Sequence, residues 1–253
     1  MSILNKGLEE ELNWLTRPDE KSRIREILAN ADALMQDISY NLIVGGQDEV
    51  DRLTKQALDK GTPASTILDD GLISGMSIVG AKFRDNVIFV PEVLVAARAM
   101  KAGMARLEPI LVASGIKPTG TVIMGTVKGD LHDIGKNLCN MMLSGAGFSV
   151  HDIGVDTKPE EFVAAAREHD AQIVGMSALL TTTMVNIETT IQAFERAGLR
   201  RKIKFMAGGA ALTQALAEEM GADGYGKDAI TCVEKAKEFL GIDDAGPTTP
   251  ADR

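Results

Sequence analysis

The chain has 253 residues, long enough to bury two modest cores, and its 45% hydrophobic and 25% charged content is that of an ordinary globular protein. No apolar run approaches the roughly 18 residues of a membrane helix, and a net charge of -9 with no basic stripe interleaved with aromatics opposes a nucleic-acid partner. The opening MSILNKGLEEELNWL is acidic where a secretory signal is positive, and Cys139 and Cys232 lie far apart with no metal-ligand spacing, so a reducing cytoplasmic location is expected, with no membrane association.

Residues 1–20 read as an N-terminal extension in which Ile3, Leu4, Leu8, Leu12 and Leu15 are spaced for an amphipathic helix, either covering the helices that follow or meeting a partner. From 21 to 114 helical periodicity dominates. Ile24, Ile27, Leu28, Ala31, Leu34, Met35 and Ile38 recur at helical spacing, and further helices are predicted over 47–59, 63–81 and 91–112. Pro63 and Pro91 suit first turns, while Gly45, Gly46 and Gly61 suit breaks, so four helices make a bundle. Two glycines and a proline in residues 115–120 mark an interdomain linker and a natural hinge.

Over 121–242 the rhythm alternates. Short β-rich runs at 121–127, 148–153, 172–177, 203–207 and 223–226 are each followed by a helical segment, with crossover helices expected over 160–167, 185–196 and 228–240. This predicts a doubly wound, Rossmann-like parallel sheet of the flavodoxin type behind the four-helix bundle, with residues 243–253 as a flexible tail. In such sheets ligands bind beyond the carboxyl ends of the strands, at the topological switch point.

Three unusual segments should meet there: residues 129–135 after the first strand, 177–183 (SALLTTT) after the third, and Ala207-Gly208-Gly209-Ala210 after the fourth. The glycines permit close approach of a bulky ligand, the hydroxyls offer neutral hydrogen bonds, and Asp130 can accept from one ring nitrogen of His132 while the other faces a ligand. With only three histidines a multi-histidine metal site is nearly excluded. A single histidine suffices where a macrocycle supplies four further nitrogens; covalent haem attachment would need CxxCH, which the chain lacks. Against these readings, Asp133 caps the next helix, 181–183 serve as a turn, Gly208-Gly209 make a strand-to-helix turn, and Cys139 is a small buried residue. His151 and His169 are read as structural.

Asp130-Leu131-His132-Asp133-Ile134-Gly135 resembles the DxHxxG motif of cobalamin-binding domains, and the 177–183 and Gly208-Gly209 segments resemble the nucleotide-tail pocket of that family. Upstream, residues 89–100 (FVPEVLVAARAM) are similar to the helical cap of corrinoid proteins in methyltransferase systems, including the module of cobalamin-dependent methionine synthase; the likeness spans roughly residues 48–240. The resemblance implies that cobalamin, as methylcobalamin or cob(I)alamin, binds with its dimethylbenzimidazole detached and placed beside the first helix of the domain. His132 would then be the lower cobalt ligand and Asp130 its orienter. Thr183 stands where a hydroxyl relay usually has serine. Asp133, Ile134 and Gly135 would contact the cofactor, and Ser177, Leu179, Thr181, Gly208 and Gly209 would line the tail slot.

A carrier of this kind is a non-catalytic subunit: a substrate-specific methyltransferase loads it, a second corrinoid-dependent methyltransferase unloads it, a corrinoid reductive activase restores it, and residues 89–104 cover the corrin. Two relatives share the motif. An adenosylcobalamin-dependent sensor or regulator adds a helix-turn-helix, for which no basic module is visible here, and the cobalamin subunit of a carbon-skeleton mutase normally lacks the preceding bundle. A phospho-acceptor receiver domain would need its acceptor after the third strand, where Ser177 stands.

Overall fold

The computed structural model describes residues 20–242, so the amphipathic pattern at residues 3–15 and the tail at 243–253 lie outside it. Two compact units divide between Lys117 and Pro118.

The first unit is helical: α1 (Glu20–Ile27), α2 (Ala33–Ile43), α3 (Gln47–Asp59), α4 (Ala64–Thr66), a π-helical segment (Ile67–Ile73), α5 (Ser74–Arg84) and α6 (Val90–Ala113). Met35, Ile38, Leu42, Val50, Leu53, Leu72, Val79, Val93, Met100 and Leu107 are buried in it. Two expected helices differ from their prediction. The periodic run from Ile24 to Ile38 is broken, because the chain turns before Asp32, whose carboxylate accepts the Leu34 N–H at 2.8 Å and starts α2. Leu28 and Ala31 in that break are buried, and Gln36 Nε2 donates to both of their carbonyls at 3.0 Å, so the apolar rhythm reads through a turn that belongs to the core. The helix predicted over 63–81 runs to Arg84 and contains the π segment. Here the buried Ser39 hydroxyl donates to the Gly71 carbonyl at 2.6 Å, a tertiary bond that occupies a helical acceptor.

Breaks do fall at Gly45, Gly46 and Gly61, and Pro63 and Pro91 stand at helix starts. α6 ends in a Schellman motif: Gly115 adopts φ +69°, its N–H reaches the Val112 carbonyl at 3.1 Å, and Ile116 N–H reaches Leu111 at 3.1 Å. At the other end, the Glu92 carboxylate accepts the Phe89 N–H at 3.0 Å, and Phe89, Val90, Leu94 and Val95 are left exposed.

The second unit alternates β1 (Thr121–Thr126), α7 (Ile134–Gly145), β2 (Ser149–Asp152), α8 (Pro159–Glu168), β3 (Ile173–Ser177), α9 (Val185–Arg196), β4 (Lys204–Gly208), α10 (Gln214–Glu219), β5 (Gly224–Gly226) and α11 (Ala229–Phe239). Among the described residues the strands form one five-stranded sheet in the order β2-β1-β3-β4-β5, every pairing parallel, which is the flavodoxin-type arrangement. Side chains alternate across it. Ile123, Val174, Phe205 and Ala207 pack with Phe162 of α8, Ile187, Ile191 and Phe194 of α9 and Ala217 of α10; Val122, Met124, Ile173 and Met206 pack with Leu143 of α7 and Cys232 and Ala236 of α11. The connections after β1 and β3 diverge between those adjacent strands, and this opens the switch point at their carboxyl ends.

Candidate functional site

Beyond β1 the chain makes a tight excursion. Gly129 N–H donates to Asp156 Oδ1 at 2.6 Å, Asp130 N–H to the Val127 carbonyl at 3.1 Å, and Asp156 N–H to the Asp130 carbonyl at 2.9 Å. Thr126, buried at the end of β1, donates its hydroxyl to the His132 carbonyl at 2.8 Å and so holds the loop over the strand. Its position as the last strand residue carried no sequence signal beyond a polar residue in an apolar run.

Asp130 is fully buried, and both oxygens are engaged. Oδ1 accepts the His132 N–H at 3.0 Å and lies 2.7 Å from His132 Nδ1. Oδ2 accepts the hydroxyl of Thr183 at 2.7 Å and the N–H groups of Leu179 and Leu180 at 2.8 and 3.3 Å. Burial alone would favour the neutral acid, but the donors from Thr183, His132 and Leu179 outweigh it and hold the carboxyl well below the usual carboxylate range. The aspartate is therefore an anion that accepts only, and the nitrogen it faces must carry a proton. This fixes the His132 tautomer with Nδ1 protonated. The other ring nitrogen, Nε2, enters no hydrogen bond among the described residues, and the side chain is 51% exposed.

The remaining expected residues are placed unequally. Ser177 stands in register with Thr126 of β1 and Gly208 of β4, and strand alternation puts Ser177 and Gly208 on the side of the sheet that α7 and α11 cover. Gly209 adopts φ +142° and passes so close to the Ala178 carbonyl that a Cβ there would overlap it; at Gly208 a Cβ would meet the Gly226 carbonyl at 2.8 Å. Leu179 contributes its backbone N–H to Asp130, whereas Thr181 is exposed and outside that network. Asp133 occupies the N-cap position of α7 as expected, yet its side chain caps nothing; its Oδ2 accepts from Asn137 Nδ2 at 3.0 Å. Ile134 and Leu131, on either side of that turn, are 81% and 71% exposed, an uncommon outlay of apolar surface beside an open imidazole. Lys136, one turn on, is buried in an ion pair with Asp152 at 2.5 Å, a pairing with no sequence signature.

No group of three or more His, Cys, Asp or Glu among the described residues is arranged to hold a bare metal ion. A single oriented imidazole ringed by exposed apolar side chains suits a metal that arrives already enclosed in a flat macrocycle, and the close-packed glycines after β4 suit an appended tail lying against backbone. The residues present therefore fit a cobalamin. No helix among the described residues is long and apolar enough to cross a membrane.

Comparison with known proteins agrees with this fit. Residues 120–234 match the model of a B12 binding domain, and residues 34–108 match a second B12 binding domain model that covers the helical unit. A corrinoid protein of Desulfitobacterium hafniense is 39% identical over 212 residues, 83% of this chain and 98% of the relative. A dimethylamine corrinoid protein of Methanosarcina mazei is 42% identical over 214 residues, 84% of this chain and all of the relative. Among solved structures, a chain of the methanol:cobalamin methyltransferase complex of Methanosarcina barkeri aligns with a TM-score of 0.79 and 29% identity, over 95% of this chain and 94% of that chain. With the oriented histidine, the doubly wound sheet and both domain matches in agreement, the chain belongs to the cobalamin-binding corrinoid proteins of methyltransferase systems, the family that joins this helical unit to a Rossmann-like domain.

Proposed function

We propose that the chain is a methyl carrier that holds cobalamin base-off, with His132 Nε2 as the lower ligand, and passes a methyl group from a substrate-specific methyltransferase to a second corrinoid-dependent methyltransferase. When bound, the cofactor supplies the cobalt that takes on and gives up the methyl group. The observation that carries this reading is the division of the buried Asp130 carboxylate between His132 Nδ1 and the donors of the β3–α9 segment. It holds one tautomer and leaves Nε2 as the available donor atom.

Ser177, Thr181, Gly208 and Gly209 are assigned to the nucleotide tail, with Ile134, Gly135 and Leu131 beside the ring system. The helical unit is assigned the shielding of the reactive metal, and a corrinoid reductive activase its repair. The Methanosarcina mazei relative is named for dimethylamine and the structural neighbour for methanol, so the donor is inferred to be a methylated amine or a simple alcohol, chosen by the partner methyltransferase and not by this chain.

The test is electron paramagnetic resonance of the reconstituted cob(II)alamin form. An imidazole nitrogen coupling is expected in the wild type and absent in His132→Ala. Its persistence in the variant, or a benzimidazole coupling in the wild type, would overturn the base-off assignment.

A further inference from the structure

Cys139 stands on α7, the helix that starts directly after the Asp130–His132 loop, and Cys232 stands on α11. Far apart in sequence, they meet in the fold. α7 and α11 pack side by side on one face of the sheet, and Cys139 lies against the cluster in which Cys232 is buried with Met124, Ile173 and Met206. Both are free thiols, brought into one cluster where α7 packs on α11. This is the sheet face on which Ser177 and Gly208 fall.

The two sulfurs differ in a way that suits thiol–disulfide exchange. Cys139 is partly open, while Cys232 is 2% exposed. The neighbouring Cys232 thiol, as a donor, holds the Cys139 thiol below the ordinary thiol range against the opposing effects of burial and the Asp228 carboxylate, with the Lys136 ammonium adding a smaller effect in the lowering direction. The same contact and complete burial push Cys232 well above that range. A reachable sulfur with raised thiolate content, backed by a second sulfur shielded from solvent, is an attacking and resolving pair.

We propose that Cys139 and Cys232 are a redox-modification site, oxidised by a low-molecular-weight disulfide of the glutathione type to an intramolecular disulfide that pins α7 to α11 and hinders entry of the cofactor tail between them. The Cys139 thiolate attacks one sulfur of the small disulfide, its S–S bond breaks, and one small thiol leaves. The Cys232 sulfur then attacks Cys139 and expels the second. Two protein thiols are oxidised, one small disulfide is reduced, and the two protons end on the two released thiols. The dithiol chemistry stands by itself; the effect on tail entry rests on the cobalamin reading above.

The full chain, free of cobalamin, is incubated with oxidised glutathione, denatured, alkylated with N-ethylmaleimide and weighed by mass spectrometry. The expected wild-type product is lighter by two hydrogens and takes up no alkylating agent, and Cys232→Ala stops at a glutathione adduct on Cys139. Two alkylated cysteines, or a lasting glutathione adduct on the wild type, would overturn the site. Cobalamin uptake by the oxidised chain is expected to be several-fold slower than by the reduced chain, to recover with dithiothreitol, and to be indifferent to oxidant in Cys139→Ser. Uptake at equal rates by the disulfide and dithiol forms overturns the effect on tail entry. A chain that forms the disulfide yet takes up no cobalamin in either state overturns the cobalamin reading and leaves the dithiol site standing.

Discussion

Thr183 donates its hydroxyl to Asp130 Oδ2 at 2.7 Å across 53 positions of sequence, and Thr183 is itself buried. A Cβ placed on Gly129 would lie 3.7 Å from Thr183 Cγ2, an ordinary van der Waals contact, so the methyl that distinguishes threonine from serine is accommodated without crowding the loop entrance, where φ of +82° favours glycine. Thr183→Ser is therefore expected to keep the hydrogen bond and the axial nitrogen coupling. Thr183→Val keeps the shape, removes the donor from a buried anion, and is expected to cost about 1.5–3 kcal/mol. Urea unfolding of the two variants checks this, and equal midpoints for Ser and Val would refute it.

The carboxyl of Asp130 is held below its unfolded value, so the unfolded chain binds the proton more readily. Its contribution to stability is complete above an unfolded carboxyl pKa of about 4 and is lost as pH falls below that toward the depressed native value. The wild type is thus expected to lose stability more steeply than Asp130→Asn on acidification from about pH 5 to pH 2. Urea midpoints taken across that range decide it, since parallel curves would mean that Asp130 is not the titrating group. At neutral pH Asp130→Asn should also weaken the axial bond less than His132→Ala does, because the ring remains in place.

Gly209 tests the close passage after β4. At φ +142°, with the Ala178 carbonyl occupying the space of a Cβ, Gly209→Ala is expected to lose at least about 1–3 kcal/mol. Cobalamin affinity should fall along with it, whereas Thr181→Ala, at an exposed position, should leave stability unchanged. Thermal unfolding and a binding titration separate the two, and a Gly209→Ala chain as stable as the wild type would count against the backbone contact.

In the helical unit, Ser39→Ala removes the buried hydroxyl donor to the Gly71 carbonyl, which keeps the Ser74 N–H, at an expected cost of about 0.5–1.5 kcal/mol. Amide hydrogen exchange should quicken first in the π-helical segment (Ile67–Ile73). Unchanged protection there would show that the segment is held by its own helix and not by α2.

Local signals read true wherever neighbours along the chain set the outcome. The helix predicted over 47–59 is α3, residue for residue, because its apolar stripe and the breaks at Gly46 and Gly61 are all short-range features. The β-rich runs became β1 to β5 within a residue or two, since alternating buried runs bounded by turns state their own length. The motif around His132 was equally visible, because Asp130 and the ring it orients stand two positions apart.

What depends on distant groups had no such signature. Neither the turn hidden under Leu28 and Ala31 nor the π segment opposite Ser39 disturbs the apolar period, since each is settled by a side chain from elsewhere: Gln36 in one case, Ser39 in the other. The strand order β2-β1-β3-β4-β5 decides which loops meet, and through it Asp130 gains Thr183 and the N–H groups of Leu179 and Leu180. Cys139 and Cys232, unrelated in spacing, share one cluster only because α7 and α11 cover the same face of that sheet. Periodicity and motif are written along the chain within a few residues, whereas the partners of a buried carboxylate or thiol are chosen by packing across the core, where any polar atom left without one would raise the free energy of the fold.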